Sequence, residues 1–278
     1  MNGTHQETGQ AKMSDQREFV DIHCHLLPGI DDGAPDVRTS LGMARMAHDD
    51  GIGVIIATPH QLGGYQPNSG DQIRALVGQT QEAIHRAGID LTVLPGADVR
   101  IESGMIDGLR DGSVLTLGDL GRHVLLELPH ELYFSIDGVL QQLAAAGMQG
   151  ILSHPERNAG LLARQKLIHH LVDSGCLMQV TAGSLMGTFG PASQRMAETM
   201  LTEGLVHFLA TDAHGVKSRR PLMQRAFDRA CQLVGEKNAV TICCEHPARV
   251  ARGKQVTGGR LAAKKTTKLS RLLARAAT

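Results

Sequence analysis

Residues 21–36 read DIHCHLLPGIDDGAPD, and they overlap a short apolar run that starts at Phe19. The run Phe19–Ile22 has the length and composition of a buried β-strand. His23 and His25 are one residue apart at its end, so both imidazoles face the same side while Cys24 faces the other. This pair is suited to binding one metal ion, although an isolated H-x-H motif is weak support for a metal site.

Similar apolar runs recur along the chain and alternate with segments of helical periodicity, which is typical of βα units and a parallel sheet. We predict seven strands, at Phe19–Ile22, Gly53–Thr58, Leu91–Gly96, Val124–Leu128, Gly150–Ser153, Cys176–Thr181 and Val206–Thr211. We predict helices at Val37–Asp50, Gln72–Ala87, Ile136–Ala146, Leu161–Asp173, Ala192–Glu203 and Pro221–Val234. Several of these helices are followed by a glycine, which suits a left-handed C-terminal cap.

Six of the seven predicted strands end in residues that commonly bind metals: His23 with His25, His60, Asp98, Glu127, His154, and Asp212 with His214. The carboxyl ends of the strands converge on one face of a closed βα barrel, where barrel enzymes carry their chemistry. An open doubly wound sheet would leave its outer strands too far apart to share one site. The pattern therefore favours a barrel-like closure.

The donor set consists of imidazole and carboxylate without thiolate, which suits manganese, iron, zinc or magnesium in a hydrolytic site. The loop Asp31-Asp32-Gly33 adds carboxylates close to the first histidine pair. The remaining histidines are expected to be ordinary exposed or hydrogen-bonded side chains: His5, His48, His85, His123, His130, His169, His170, His207 and His246.

Two arginines follow ligand positions, Arg157 after His154 and Arg219 after His214. A planar guanidinium can bind two phosphate oxygens and offset charge that grows in a transition state. We therefore predict Arg157 and Arg219 as a phosphate-binding pair, with Arg220 as a possible substitute for Arg219.

The amino-acid composition indicates which classes of protein this chain can belong to. The 278 residues are 42% hydrophobic, and 28 basic side chains balance 28 acidic ones, so no long-range field attracts nucleic acid or another polyanion. No apolar run approaches the roughly 20 residues of a membrane helix, and the first 18 residues are polar, without the apolar stretch expected of a signal peptide. The five cysteines lack the paired spacing of a zinc ribbon and are expected to be reduced. We expect a cytoplasmic enzyme.

A thiol-based alternative rests on the C-x5-R spacing from Cys243 to Arg249, which occurs in cysteine-dependent tyrosine phosphatases. The intervening residues lack the glycines that let backbone amides converge on phosphate, and Glu245 would repel it. The spacing alone therefore gives little support.

Taken in order, DIHCHLLPGIDDGAPD, ATPH, LPGADVRI, LLELP, LSHPERN and ATDAHGVKSRRP resemble the polymerase-and-histidinol-phosphatase (PHP) superfamily. Within it, the chain most resembles the CpsB-type tyrosine-protein phosphatases of capsule and exopolysaccharide operons. The resemblance covers about residues 19–250. It implies a single-domain, distorted TIM-like (βα)7 barrel with three divalent metals, manganese being favoured.

The resemblance also implies hydrolysis of phosphotyrosine by a metal-activated hydroxide, on an autophosphorylated tyrosine kinase that regulates capsule or exopolysaccharide synthesis. Its motifs assign the first metal to His23, His25, Asp98 and Asp212, the second to Asp98, Glu127 and His154, and the third to Asp32, His60 and His214. Asp32 is preferred to Asp31 because it adjoins Gly33. Alternatives are a histidinol-phosphate phosphatase, another PHP phosphoesterase, or a weakly active kinase-binding protein.

Some positions depart from the family pattern. The family has glutamate where this chain has Asp98, whose side chain is one methylene shorter. Gly215 replaces the asparagine after the D-x-H pair, and the R-P-P run is Arg219-Arg220-Pro221. Outside the predicted phosphatase barrel, 19–250, we expect a disordered N-terminal tail, 1–18, and a basic C-terminal tail, 251–278. The C-terminal tail is expected to be solvated, or to form a helix near Leu269–Ala274 that contacts a partner.

Overall fold

The computed structural model describes residues 18–65 and 67–262. Its strands are β1 (Phe19–Cys24), β2 (Ile52–Ala57), β3 (His60–Gln61), β4 (Thr92–Pro95), β5 (Asp98–Arg100), β6 (His123–Glu127), β7 (Gln149–Ser153), β8 (Leu177–Thr181) and β9 (Phe208–Ala210). Its helices are α1 (Val37–Asp49), α2 (Gly70–Arg86), α3 (Met105–Asp111), α4 (Asp137–Ala145), α5 (Ala159–Leu162), α6 (Lys166–Asp173), α7 (Ala182–Leu185), α8 (Gly190–Thr202), α9 (Gln224–Val234), α10 (Glu236–Val240) and α11 (His246–Ala251).

The strands are parallel and pair in two runs, β1-β2-β4 and β3-β5-β6-β7-β8-β9. β3 continues the direction of β2 after a break at Thr58-Pro59, where proline cannot donate to the ladder. β5 likewise follows β4 after Gly96-Ala97. A side chain at Gly96 would lie 2.7 Å from Ile56, so this break requires glycine. The two runs are therefore one interrupted sheet.

The ring closes between β1 and the residues that follow β9. Cys24 and Ala213 form a parallel bridge, Asp212 N donates to His23 O at 2.8 Å, and His25 N donates to Ala213 O at 2.9 Å. On the other side of β1, Thr58 N donates to Cys24 O at 2.9 Å. The predicted distorted barrel, with seven strand positions and a mixed α/β single domain, is confirmed.

Apolar side chains fill the interior of the barrel and a second layer between strands and helices. The interior cluster contains Val20, Ile22, Ile56, Leu117, Leu125, Ile151, Leu177, Phe208 and Ala210, and Val250 and Val256 complete it. Val250 lies on α11 and Val256 in the segment that follows, so these C-terminal residues close the amino-terminal end of the barrel. Chemistry is thereby left to the opposite end.

The predicted helix Leu161–Asp173 is wrong, because the segment forms α5 and α6 with a turn at residues 163–165. The turn has neither glycine nor proline, so the sequence does not mark it. Sequence analysis also missed α3 and the C-terminal helices α10 and α11.

The start of the predicted basic tail lies within the described residues. Val256 is fully buried, Leu261 N donates to Gly204 O at 2.8 Å, and His207 Nε2 bonds Gly259 O at 2.8 Å. This part of the segment packs against the barrel. The rest of the predicted tail, with the suggested helix Leu269–Ala274, and the predicted N-terminal tail up to residue 17 lie outside the described residues.

Candidate metal centre

Histidines and carboxylates from all around the ring meet at the carboxyl end of the barrel. Their donor atoms form four overlapping groups, each within 4.8 Å: His25, Asp32, His60 and His214; His23, His154 and Asp212; His23, His25 and Asp98; His60, Asp98 and Glu127. All nine predicted metal ligands belong to these groups. The convergence follows from parallel strands in a closed ring.

A bulge in β1 directs the first histidine pair. Asp21 is opposite Ile55 and Cys24 is opposite Ala57, so β1 contains one extra residue between these pairs. Ile22 can therefore pack in the barrel interior while the next residue, His23, faces the metal centre. Cys24 is buried in the outer apolar layer, as its predicted orientation requires.

Asp98 lies between two of the groups. Its Oδ2 is 3.6 Å from His23 Nε2 and 3.6 Å from His60 Nδ1. The carboxyl is fully buried, and within the described chain neither of its oxygens accepts a hydrogen bond. A buried carboxylate without partners is costly, and divalent cations between it and the histidines would remove that cost. The shorter side chain of Asp98 still reaches both groups.

The loop after β1 supplies Asp32, whose Oδ1 is 3.5 Å from His60 Nε2 and 3.4 Å from His214 Nε2. Asp32, His60 and His214 thus meet as the resemblance implied, and His25 joins them. A side chain at Gly33 would lie 2.3 Å from the His25 carbonyl oxygen, so glycine permits this close approach of the loop.

His154 is grouped differently from the expected assignment. Its ring meets His23 and Asp212, whereas the resemblance paired it with Asp98 and Glu127. His60 takes the place beside Asp98 and Glu127. The backbone of His154 is left-handed, with φ of 34°, and that of Asp212 has φ of 50°. Such conformations are unusual for residues other than glycine and occur often at functional sites.

Polar side chains behind the ligands fix the orientation of the imidazoles. His23 Nδ1 lies 2.9 Å from Gln179 Oε1, and His25 Nδ1 lies 2.7 Å from Asp31 Oδ2. Each contact leaves Nε2 free to face the centre, in the manner of metal-binding histidines held by a second hydrogen bond. Asp31, which the motif passed over as a ligand, thus acts behind His25.

Three buried histidines of the centre, His23, His25 and His154, are neutral at neutral pH, which is the form that binds a cation, whereas His60 is protonated. Burial lowers the pKa of His23 to about 3 and that of His25 to about 4, so both rings are neutral. Burial also lowers the pKa of His154 well below its usual value. For His60, burial is outweighed by Asp32, Asp98 and Glu127, which raise its pKa to about 9. Cation binding at His60 would therefore release a proton.

Asp98 and Asp212 differ although both are buried. Burial and the neighbouring Glu127 raise the pKa of Asp98 well above its usual value. For Asp212, burial is outweighed by the groups around it, which include the charged Arg219, and they hold its pKa well below the usual range. In the absence of cations, Asp98 is therefore the ligand whose charge is least supported by the protein.

The two predicted arginines converge on Asp212. Arg157 Nη1 and Arg219 Nη2 both contact Asp212 Oδ2, the latter at 2.6 Å. The guanidinium carbon of Arg157 lies 4.1 Å from the centre of the Phe189 ring, and that of Arg219 lies 5.9 Å from it. Phe189 therefore forms a wall that supports both cations.

Sequence analysis missed several residues of the site. Gln179 and Phe189 lie behind or beside the candidate ligands, and no local motif identifies them. His130 stacks on His154 with ring centres 5.4 Å apart, although it was expected to be an ordinary histidine. Tyr65 stacks on His60 at 5.0 Å.

The thiol alternative has no structural support. Cys243 is fully buried within a π-helical turn, Thr241–Glu245, that leads directly into α11. The segment up to Arg249 is helical, so it cannot wrap around a phosphate.

Among the described helices, none has the length and apolar character needed to cross a bilayer.

Known proteins resemble this chain over nearly all of its described length. The family model described as capsular polysaccharide synthesis, CpsB/CapC, matches residues 19–252. Tyrosine-protein phosphatase YwqE of Bacillus subtilis (strain 168) is 36% identical over 209 residues, which are 75% of this chain and 82% of that protein. Tyrosine-protein phosphatase CpsB of Streptococcus pneumoniae is 26% identical over 238 residues, covering 84% and 98%.

A solved structure is also similar to this chain. It is one of the crystal structures of YwqE from Bacillus subtilis and CpsB from Streptococcus pneumoniae, which are described as metal-dependent tyrosine phosphatases. Its TM-score is 0.82 at 32% identity, and the match covers 87% of this chain and 99% of the other.

Proposed function

This chain belongs to the CpsB/CapC family of capsular polysaccharide synthesis, and from that premise we propose that it is a metal-dependent protein-tyrosine phosphatase. The observation that carries the proposal is the buried Asp98 carboxylate, without hydrogen-bond partners in the described chain, inside a ring of eight further donor residues. The two arginines beside this ring provide the means to bind phosphate.

The residues of the centre fit divalent cations held by imidazole and carboxylate. We assign them as ligands: His23, His25, Asp32, His60, Asp98, Glu127, His154, Asp212 and His214. We expect three divalent ions, manganese being the favoured metal, and Asp98, which belongs to two of the donor groups, would be available to both. When bound, such ions supply Lewis-acid chemistry and lower the pKa of water.

The side chains of the protein bind and orient the substrate. Arg157 and Arg219 are placed to take phosphate oxygens and to stabilise the charge that develops on them. Phe189 restrains both guanidinium groups and offers an aromatic surface beside them. The tyrosine leaving group has a reference pKa of about 10, so it departs with less acid assistance than an alkyl alcohol would need.

The substrate that we propose is the phosphotyrosine of an autophosphorylated bacterial tyrosine kinase that regulates capsule or exopolysaccharide synthesis. The names of the family and of its relatives support this role. A cytoplasmic location would bring the enzyme to such a kinase.

The proposal is tested by comparing a phosphotyrosine peptide, histidinol phosphate and a phosphoserine peptide as substrates of the purified protein, with manganese and without metal. We expect metal-dependent turnover, with the highest kcat/KM for the phosphotyrosine peptide. A preference for histidinol phosphate would indicate the other main activity of the superfamily. Binding of the phosphopeptide without turnover in any metal would indicate a kinase-binding protein.

A further inference from the structure

A cavity of about 290 Å³ adjoins the arginine pair. It lies between the segment from α7 to the start of α8 and the loop that follows His214. Phe189, Thr211 and Arg219 line it, so it shares a wall with the metal centre. Met186 and Leu222 add apolar surface. The cavity is therefore a lateral extension of the candidate active site.

The rim of this cavity is strongly basic. Lys217, Arg220 and Arg225 line it together with Arg219, and no carboxylate belongs to the lining. Arg219 is bound to Asp212, whereas Lys217, Arg220 and Arg225 are exposed and form no ion pair with any described residue. The formal net charge of the chain is zero, so this concentration of cations is local.

Exposed cations are usually solvated, and a single one carries no information about a ligand. Here three of them surround one concave surface that opens beside the phosphate-binding arginines. Two lie on the loop after His214 and the third lies on α9, so two separate elements of the fold bring them together. A cleft lined by charge of one sign concentrates ligands of the opposite sign.

We propose that this cavity is a subsite for an anionic side chain that flanks the phosphotyrosine in the substrate, either a carboxylate or a second phosphate. This inference rests on the proposed function. An extended peptide advances about 3.3 to 3.6 Å per residue, so the anion would lie within a few residues of the phosphotyrosine. Phe189 separates the two positions and contributes to both.

The test compares four substrates of the metal-loaded enzyme: free phosphotyrosine, a phosphotyrosine peptide with glutamines at its flanks, the same peptide with glutamates, and the same peptide with a second phosphotyrosine. We expect kcat/KM for the two anionic peptides to exceed that for the neutral peptide by about three- to tenfold, mainly through KM, because exposed ion pairs contribute modestly. The preference should shrink as salt rises. A preference for the doubly phosphorylated peptide alone would identify phosphate as the ligand.

Lys217→Gln with Arg225→Gln should reduce that preference to near one and leave turnover of free phosphotyrosine unchanged. Arg220 is kept because it adjoins the catalytic arginine. Arg86→Gln is a control for the loss of an exposed cation away from the cavity, since Arg86 pairs with Glu82 at the end of α2, toward the other end of the barrel. The double variant and the control should both preserve the preference for phosphotyrosine over histidinol phosphate.

Equal kcat/KM for neutral and anionic peptides in the unmodified enzyme would overturn the subsite, and that comparison needs no variant to fold. An equal loss on all substrates in the double variant would also overturn it. Failure to hydrolyse any of the phosphotyrosine substrates, peptides included, would instead contradict the proposed function.

Discussion

Two buried polar side chains at opposite ends of the barrel, His207 and Asp98, differ in their hydrogen bonding. At the amino-terminal end, His207 Nδ1 accepts from Met178 N at 3.0 Å and Nε2 bonds Gly259 O at 2.8 Å, beside the apolar plug of Val250 and Val256. At the carboxyl end, Asp98 is equally buried but has no hydrogen-bond partner in the described chain.

This difference indicates that His207 at the amino-terminal end contributes to the stability of the fold, and that Asp98 at the carboxyl end is suited to binding a ligand. A satisfied imidazole costs the fold little, whereas an unsupported carboxylate is retained at a cost unless a ligand supports it. His123 is an exception near the amino-terminal end, because neither of its ring nitrogens has a partner among the described residues. Burial lowers its pKa to about 4, so His123 stays neutral, whereas Asp98 would be charged in its proposed role as a metal ligand.

The largest effect is expected at Asp98. Asp98→Ala should lose at least one equivalent of metal and nearly all turnover, because the shared carboxylate offsets repulsion between neighbouring cations. Elemental analysis beside kinetics measures both quantities. Full metal content with near-normal turnover would show that Asp98 is not the shared ligand.

Asp98→Glu is the matched substitution, because it introduces the glutamate that the family resemblance implies at this position. We expect metal affinity and kcat to be preserved or increased, with little change in KM. A loss of metal in this variant would mean that the local backbone is fitted to aspartate.

A smaller effect is expected at Arg157, which contacts Asp212 and is stacked on Phe189. Arg157→Ala should retain the metals and weaken phosphate binding, since removing a charge-assisted contact costs about 1.5 to 3 kcal/mol, or roughly ten- to a hundredfold. The measurement is kcat/KM beside the inhibition constant of inorganic phosphate. Loss of metal in Arg157→Ala would show that Arg157 supports the metal centre and would contradict a role limited to phosphate binding.

At the amino-terminal end of the barrel, substitution of His207 should change the free energy of unfolding and leave the activity of the folded protein unaltered. Burial lowers the pKa of His207 to about 4, below its unfolded value of about 6.5. The unfolded chain therefore binds the proton more tightly, so the contribution of His207 to stability is complete above pH 6.5 and is lost as pH falls toward 4. Other buried histidines contribute to the same trend.

His207→Gln isolates the contribution of this residue. The free energy of unfolding should fall less steeply in the variant than in the unmodified protein between pH 6.5 and 4, by up to about 3 kcal/mol. Urea unfolding at several pH values measures the slopes. Equal slopes would show that His207 does not titrate on unfolding, and a change in kcat at neutral pH would contradict the separation between the two ends.

Short-range patterns predicted the strands and the eight ligand candidates at strand ends, because each predicted strand is a local apolar run and parallel strands end on one face. The ninth candidate, Asp32, came from the family resemblance. The interruption of β2 and β4 and the turn between α5 and α6 depend on tertiary packing. Pro59 explains the first interruption after the fact, whereas residues 163–165 have no distinguishing composition.

The supporting residues were harder to predict. Gln179 and Phe189 are distant in sequence from the groups that they contact, and neither belongs to a metal-binding pattern. The grouping of His154 with His23 and Asp212 accompanies left-handed backbone at His154 and Asp212, which sequence periodicity does not reveal. Residue types thus singled out the candidate ligands, while the way in which these candidates group together required coordinates.

The central claim is that metal at the carboxyl end of the barrel, and no thiol, supports phosphotyrosine hydrolysis. The most direct measurement is phosphopeptide turnover after EDTA treatment and after manganese is restored, with metal content determined in each sample and with Cys243→Ser studied in parallel. We predict that EDTA abolishes turnover, that manganese restores it, and that Cys243→Ser has the same turnover and metal content as the unmodified protein. Turnover that persists in metal-free protein, or that disappears in Cys243→Ser with its metals retained, would contradict it.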